Sequence, residues 1–359
     1  MRSIAAVCLA TACGPTPATA PTAATAGSGG AAKGTPPRAP APTNARAMGR
    51  RLQGPVQLWS WFDLPDDPRS RELSGIAWDE STKTLWAVQD ETANIIPIHP
   101  DPDLKRWTLG AHVTLKMSFP LDLEGIVVLP DGFIVASEVG PRVLEVDRLG
   151  KLRRDISLPS HYAKARVNKS LESLTMSPDG RFLFTTTETA LSCDGETATL
   201  LAGSRLRILR MTRTGADPTE HAYATDPAPH ATGDYGVADL AALSPDELLV
   251  LERGWTHGRG NTARVYRTTT ADAMTSCLGS PALGNDAALI KKELVVDLGK
   301  LAVRGLPLTR QKQASPLLDN FEGLALGPLL PDGRETVILV SDDNGRTDQF
   351  ARIVVLAVG

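Results

Sequence analysis

From residue 55 onward the apolar positions fall in short runs separated by turn residues. The stretch DLEGIVVLPDGFIVASE (122–138) displays the unit: two apolar runs around Pro-Asp-Gly, with Glu124 near one end and Glu138 at the other. Turn chemistry between β-branched or apolar runs predicts a hairpin. The same construction returns at 73–91, 171–188, 237–254 and 321–344, each reading strand, polar turn, strand, acid.

Most copies are followed by two further strand-like runs: NIIPIHP and RWTLGAHVTL, RVLEVDR and LRRDISL, RLRILRMT and HAYAT, ARVYRTT and KKELVVDL. A four-stranded unit repeated along the chain predicts the blades of a β-propeller, an all-β fold. Five motif-bearing blades are counted, or six if the long insertions at 189–236 and 254–321 hold another. After the last copy only FARIVVLAV remains, so the missing outer strand is assigned to PVQLWSWFDL (55–64), and the N- and C-terminal strands together close the ring. A β-sandwich of short strands is the competing architecture, and the equal order of the repeats argues against it.

Ahead of this domain, assigned to 51–359, the chain reads differently. MRSIAAVCLATAC (1–13) sets one Arg before a short apolar run that ends in small residues, the pattern of an export signal and too short to span a bilayer. Its close, Ala-Thr-Ala-Cys13, is similar to the lipobox of bacterial lipoproteins, with Ala10 where Leu usually stands. A lipidated Cys13 and a plain secretory signal both stay open, so the expected location is the cell envelope, the periplasm or outside the cell. Residues 14–50, rich in Pro, Ala, Thr and Gly, have almost nothing to bury and are expected to form a disordered tether.

Composition narrows the partners. With 42% hydrophobic and 22% charged residues the composition is ordinary globular, and 359 positions can hold one large all-β domain or two smaller ones. Its 38 basic and 41 acidic residues give a net charge of −3, with no basic block interleaved with aromatics. Nucleic acid is not an expected partner, the membrane enters only through an N-terminal lipid anchor, and a monomer is expected. Of four cysteines only Cys193 and Cys277 lie in the domain. In an exported protein they are expected to pair, for about 4 kcal/mol if unstrained. Without a CxxC and with only six His, zinc is not expected.

The acids carry the chemistry. If the first strand of each copy is innermost, antiparallel pairing sets its start beside the end of the second strand, on one rim of the ring. The copies then contribute Ser74 with Asp90 and Glu91, Glu124 with Glu138, Glu172 with Glu188, Ala238 with Glu252, and Glu322 with Asp342 and Asp343. These acids outnumber the nearby bases Arg71, Lys169, Arg253 and Arg346. Crowded like charges raise one another's pKa unless a cation lies among them, and Ca2+ takes six to eight oxygen ligands without rigid geometry. Glu124, Glu138, Glu172, Glu188, Glu322 and Asp342 are the expected metal ligands, with Asp90, Glu252, Asp343 and Asn344 on the same rim. The competing reading has the acids capping strand ends and holding blades together.

ELSGIAWDESTKTLWAVQDE, LEGIVVLPDGFIVASE, LESLTMSPDGRFLFTTTE, LLVLERGW and NFEGLALG with LVSDDN resemble the phytase-like family, exported bacterial β-propellers described as having esterase-like phytase activity. The resemblance spans about 72–358. It implies a propeller, export, and Ca2+-assisted hydrolysis of phosphate esters or other esters. The first function class read from the residues is such a hydrolase, in which Arg253 or Lys169 would contact phosphate oxygens. Copy four departs from the resemblance, with Ala238 where Glu124, Glu172 and Glu322 stand elsewhere. No Gly-x-Ser-x-Gly elbow is present, which argues against a Ser-His-Asp hydrolase. The alternative function is a non-catalytic binding scaffold at the cell surface. A glycosidase ranks third, because of six Trp only Trp255 lies just past the rim.

Overall fold

In the strand Glu335–Asp342 every residue after the first is buried, and successive side chains face opposite ways. Val337 and Leu339 enter one apolar cluster, Ile338 and Val340 another. Both faces of this strand are therefore covered, which explains why the second strand of each repeat reads as a continuous apolar run. The computed structural model describes residues 52–90, 92–271, 276–306 and 311–359. The expected signal with Cys13, the expected tether at 14–50, and Glu91 lie outside these residues.

The strands form five antiparallel sheets. Blade 1 begins with Leu73–Asp79, Thr84–Gln89 and Asn94–Pro100, and two short segments, Trp107–Leu109 and Val113–Thr114, both pair with the third strand. Blade 2 is Leu123–Leu129, Gly132–Ser137, Arg142–Asp147 and Leu152–Ile156. Blade 3 is Thr175–Met176, Phe182–Thr185, Arg205–Thr212 and Thr219–Ala224. Blade 4 is Asp234–Ala242, Glu247–Thr256, Gly260–Thr269 and Lys292–Asp297. Blade 5 is Asn320–Leu326, Glu335–Asp342 and Arg352–Val358, completed by the N-terminal strand Val56–Asp63.

The innermost strands touch in cyclic order, blade 1 to 2, 2 to 3, 3 to 4, 4 to 5 and 5 back to 1. The ring is a five-bladed propeller. Val56–Asp63 pairs antiparallel with Arg352–Val358, from Val56 opposite Val358 to Asp63 opposite Arg352, so the ring is closed by its two terminal strands as expected. Among the described residues the long insertions supply the outer strands of blades 3 and 4 and no sixth blade. Five apolar clusters fill the five seams between blades.

One expectation is corrected. Cys193 and Cys277 are both free thiols, each held by its own partner: Cys193 Sγ lies 3.7 Å from Asp194 Oδ1, and Cys277 Sγ donates to the Glu220 carbonyl at 3.4 Å. A buried guanidinium joins the two insertions instead. Arg207 donates to Asp194 at 2.6 and 2.7 Å, to Glu220 Oε2 at 2.9 Å and to the Cys277 carbonyl at 3.3 Å. Burial pushes the Cys277 thiol up to about 11, so it stays protonated at neutral pH.

Candidate metal centre

Each innermost strand carries one extra residue relative to its partner. The register slips by one position between Leu73 and Ile76, Leu123 and Gly125, Val237 and Asp239, and Phe321 and Gly323. In blade 3 the bridge Leu171–Thr187 and the pair Thr175–Phe184 show the same slip. A β-bulge bends the strand and re-aims the extra side chain. The five bulge positions are Ser74, Glu124, Glu172, Ala238 and Glu322, the residues aligned as the starts of the inner strands.

Immediately past the bulge the inner strands close on one another. A Cβ on Gly75 would lie 2.4 Å from the Glu124 carbonyl oxygen, and one on Gly125 would lie 2.5 Å from the Leu174 nitrogen. Only glycine fits such an approach. In blade 4 the same step is Asp239, buried, whose carboxylate accepts from Leu324 N at 2.7 Å and Leu240 N at 2.8 Å, stitching blade 4 to blade 5. Burial, with Glu322 nearby, pushes its pKa well up.

On the near side of this waist lies a cup of about 450 Å³. It brings together Asp90, Glu124, Glu138, Glu172, Glu188, Glu322, Asp342 and Asn344, expected on the rim, with Lys169 and Arg253, expected as contacts to phosphate. Glu72, Asp122 and Asp234 join them and were not expected, because each precedes its strand's repeated motif. Among the described residues ten carboxylates thus share a wall with two cations.

Two rim expectations are corrected. Residues at the end of the second strand line the cup one position after the pair that flanks the bulge: Asp90, Glu138, Glu188 and Asp342. In blade 4 Glu252 pairs with Val237 as Ser137 pairs with Leu123, so the equivalent position is Arg253. Side chains alternate, so a shift of one sends Glu252 the other way. It accepts from Tyr223 Oη at 2.6 Å, Tyr235 Oη at 2.9 Å, Asp226 N at 2.9 Å and Lys292 Nζ at 2.6 Å, away from the cup. Asp343 accepts from the backbone N–H groups of Glu72 and Gly345, both at 3.1 Å, and holds a loop.

Blade 4 therefore offers no acid at either rim position, and its two departures fit together. Beside the small Ala238, Arg253 reaches Glu322 at 2.7 Å and Glu172 at 3.6 Å. Lys169 Nζ lies 3.2 Å from both Glu188 and Asp234. Burial would lower the Lys169 pKa, and these two carboxylates more than offset it. Both cations expected to meet phosphate are thus held by carboxylates of the wall.

Five of the cup's acids are pushed above their ordinary range. Burial, reinforced by Glu172 and Asp90, raises Glu124 well up against the opposing hydrogen bond from Ser74 Oγ. Burial with Glu188 and Glu322 does the same to Glu172. Burial raises Glu322 despite Arg253. Glu138 is pushed up by burial to about 7, although Ser170 N donates to its Oε1 at 2.6 Å. Asp342 reaches about 8 through burial and the Glu322 charge. A bound cation would relieve this crowding.

Among the described residues one group has the geometry to take such an ion. Carboxylate oxygens of Asp90, Asp122 and Glu124 lie within 4.8 Å of one another, and the buried Asp122 Oδ1 has no hydrogen-bond partner among the described residues. Among the described residues the cup's ligand atoms for a metal are oxygens, with no His or Cys on its wall, a set suited to Ca2+ or Mg2+ and not to zinc or copper.

Fold and site together define a five-bladed propeller with a carboxylate cup at one mouth of its channel. Residues 68–345 match the sequence profile of the Phytase-like family, described as esterase-like activity of phytase, and the chain belongs to that family. No curated protein matches it. Among solved structures it is similar to an aldose sugar dehydrogenase from Streptomyces coelicolor in its PQQ-bound form, with 15% identity, TM-score 0.41, and 86% of this chain and 99% of that one covered. It is also similar to regucalcin, a calcium-binding protein from Agrobacterium tumefaciens, with 14% identity, TM-score 0.40, and 84% and 95% covered. A Lactobacillus plantarum protein gives 17% identity and a TM-score of 0.36, and the chain spans 64% of its length with 75% of its own.

Proposed function

We propose that the cup binds Ca2+ and serves an exported hydrolase of phosphate esters or other esters. The observation that carries this reading is the Asp90, Asp122 and Glu124 group with its unpartnered Asp122 oxygen. Family membership supports the ester half of it. Those three residues would hold the ion, with Glu138, Glu172, Glu188, Glu322 and Asp342 around them. When bound, Ca2+ supplies neutralisation of an anionic ester and acidifies water. Glu138, near pH 7 with Oε1 engaged by Ser170, holds or releases a proton at Oε2. Arg253 keeps Glu322 and Glu172 in place.

The test is hydrolysis of p-nitrophenyl phosphate and p-nitrophenyl acetate, with Ca2+ or with chelator, in wild type and Glu124→Gln. Turnover is expected with Ca2+ and should fall at least about tenfold in chelator and in the variant, the loss typical even of an outer-sphere partner. Turnover indifferent to both would contradict the metal role. The pairing of both cup cations with wall carboxylates favours a second reading, a non-catalytic cation-binding scaffold. That reading takes over if Ca2+ binds and no ester is turned over.

A further inference from the structure

A second cavity, of about 240 Å³, opens beside the cup and shares Asp234, Arg253, Glu322 and Asn344 with it. Its own wall includes Trp255, Asn320 and Gln349. Trp255 stands two residues beyond Arg253 on the same strand, so both side chains lie on one face. Its ring meets His257 edge-on at 6.1 Å, and among the described residues its Nε1–H donates to nothing.

The amides around it are each half used. Gln349, 7% exposed, accepts from Asn344 Nδ2 on its Oε1 at 3.1 Å, which leaves its own Nε2 hydrogens without a partner among the described residues. Asn320, 6% exposed, donates from Nδ2 to Glu322 at 2.7 Å and keeps Oδ1 available. Asn344 likewise keeps its Oδ1. The wall therefore offers two donors, Trp255 Nε1 and Gln349 Nε2, and two acceptors, Asn320 Oδ1 and Asn344 Oδ1, around one aromatic side chain.

That set selects its ligand. A carboxylate or phosphate would use only the donors, would face Glu322 and Asp234, and would find Arg253 already held by Glu322 and Arg346 already bonded to Asp348 at 2.9 Å. An apolar group would leave all four polar atoms unpaired. Hydroxyl groups both donate and accept, so a ring bearing several of them satisfies donors and acceptors together. The volume falls below the roughly 300 Å³ at which drug-sized ligands begin, which suits a single ring.

We infer that this side cavity is a subsite for one neutral sugar ring, seated against Trp255 and hydrogen-bonded by Gln349, Asn320 and Asn344. The inference deepens the proposed hydrolase, on which it rests for the bond that reacts: the ester would be carried by a sugar. Sugar capture itself needs neither metal nor turnover.

Saturation-transfer NMR with methyl glucoside, methyl galactoside and methyl mannoside tests it on wild type, Trp255→Ala and Glu124→Gln. Transfer to the ring protons of at least one glycoside is expected in wild type and in Glu124→Gln, with binding about tenfold weaker in Trp255→Ala. A wild-type melting midpoint and Ca2+ response in Trp255→Ala would establish that it is folded; if it is not, Trp255→Phe and Gln349→Glu are read in its place, with weaker binding expected in both. No transfer from any of the three glycosides to wild type would overturn the inference, as would equal transfer in the Trp255 and Gln349 variants. Sugar binding without ester turnover would retire the hydrolase and leave this subsite standing.

Discussion

Arg253 meets Glu322 and Glu172 where burial already raises both carboxylates, so its charge matters most when they are ionised. Replacing it by Met should cost about 2 kcal/mol in urea unfolding at pH 8 without Ca2+. That lies below the roughly 3–5 kcal/mol of a fully buried pair, because 16% of the side chain is exposed. At pH 5 the carboxylates take up protons and the loss should shrink. An equal loss at both pH values would assign the effect to packing. Most of the cup's acids were legible in the sequence, because a charge that recurs at one place in a repeat stands out. The exchange of Glu252 for Arg253 was not, since it depends on which of two adjacent residues faces the channel, and only the strand register decides that. Asp122 and Asp234 were missed for a related reason, as they stand before the repeated motif and only the folded rim brings them to the cup.

Strands carry the next level of the account. In blades 1, 2, 3 and 5 the bulge on the innermost strand turns a side chain into the cup, and the residue after it lies at the close approach of neighbouring strands. Gly125→Ala should destabilise by about 1–3 kcal/mol, because its methyl group would meet Leu174 and Ser173 backbone at 2.5–2.7 Å. Gly180→Ala is the control: it has open space around it and a φ of +72°, so only backbone strain of about 1 kcal/mol is expected. Chemical denaturation compares the two, and equal losses would mean that the close approach at the waist is not what the glycine serves. Hairpins and blade order were readable because turn residues punctuate them. The bulges were not, since one extra residue in a strand leaves no mark in composition. The ring closure was readable from an arithmetic of strands, one short at the end and one spare at the start. Removing the residues before Leu64 should therefore abolish the cooperative thermal transition, because it strips the outer strand from blade 5. A sharp transition in that variant would contradict the closure.

For the whole molecule the crowded acids make stability depend on protons and cations together. Glu138 near 7, Asp342 near 8, and Glu124, Glu172 and Glu322 raised above their ordinary range all bind protons more tightly folded than unfolded. Between about pH 4.5 and 8 the folded state then holds more protons, so metal-free stability should fall as pH rises through that window. Ca2+ should flatten the fall by taking the place of protons, and its binding should release them. Melting midpoints at pH 5, 6.5 and 8 check this, and a metal-free midpoint that rises with pH would contradict it. The most direct measurement is the thermal midpoint of wild type, Glu124→Gln and Glu252→Gln at pH 7.5, each with chelator and with millimolar Ca2+. The wild type should gain on the order of 2.7 kcal/mol at a hundredfold excess over its dissociation constant. Glu252→Gln should respond as fully, its side chain lying among tyrosines outside the cup, while Glu124→Gln should lose most of the response. A wild-type midpoint that is the same in chelator and in Ca2+ would contradict the metal centre.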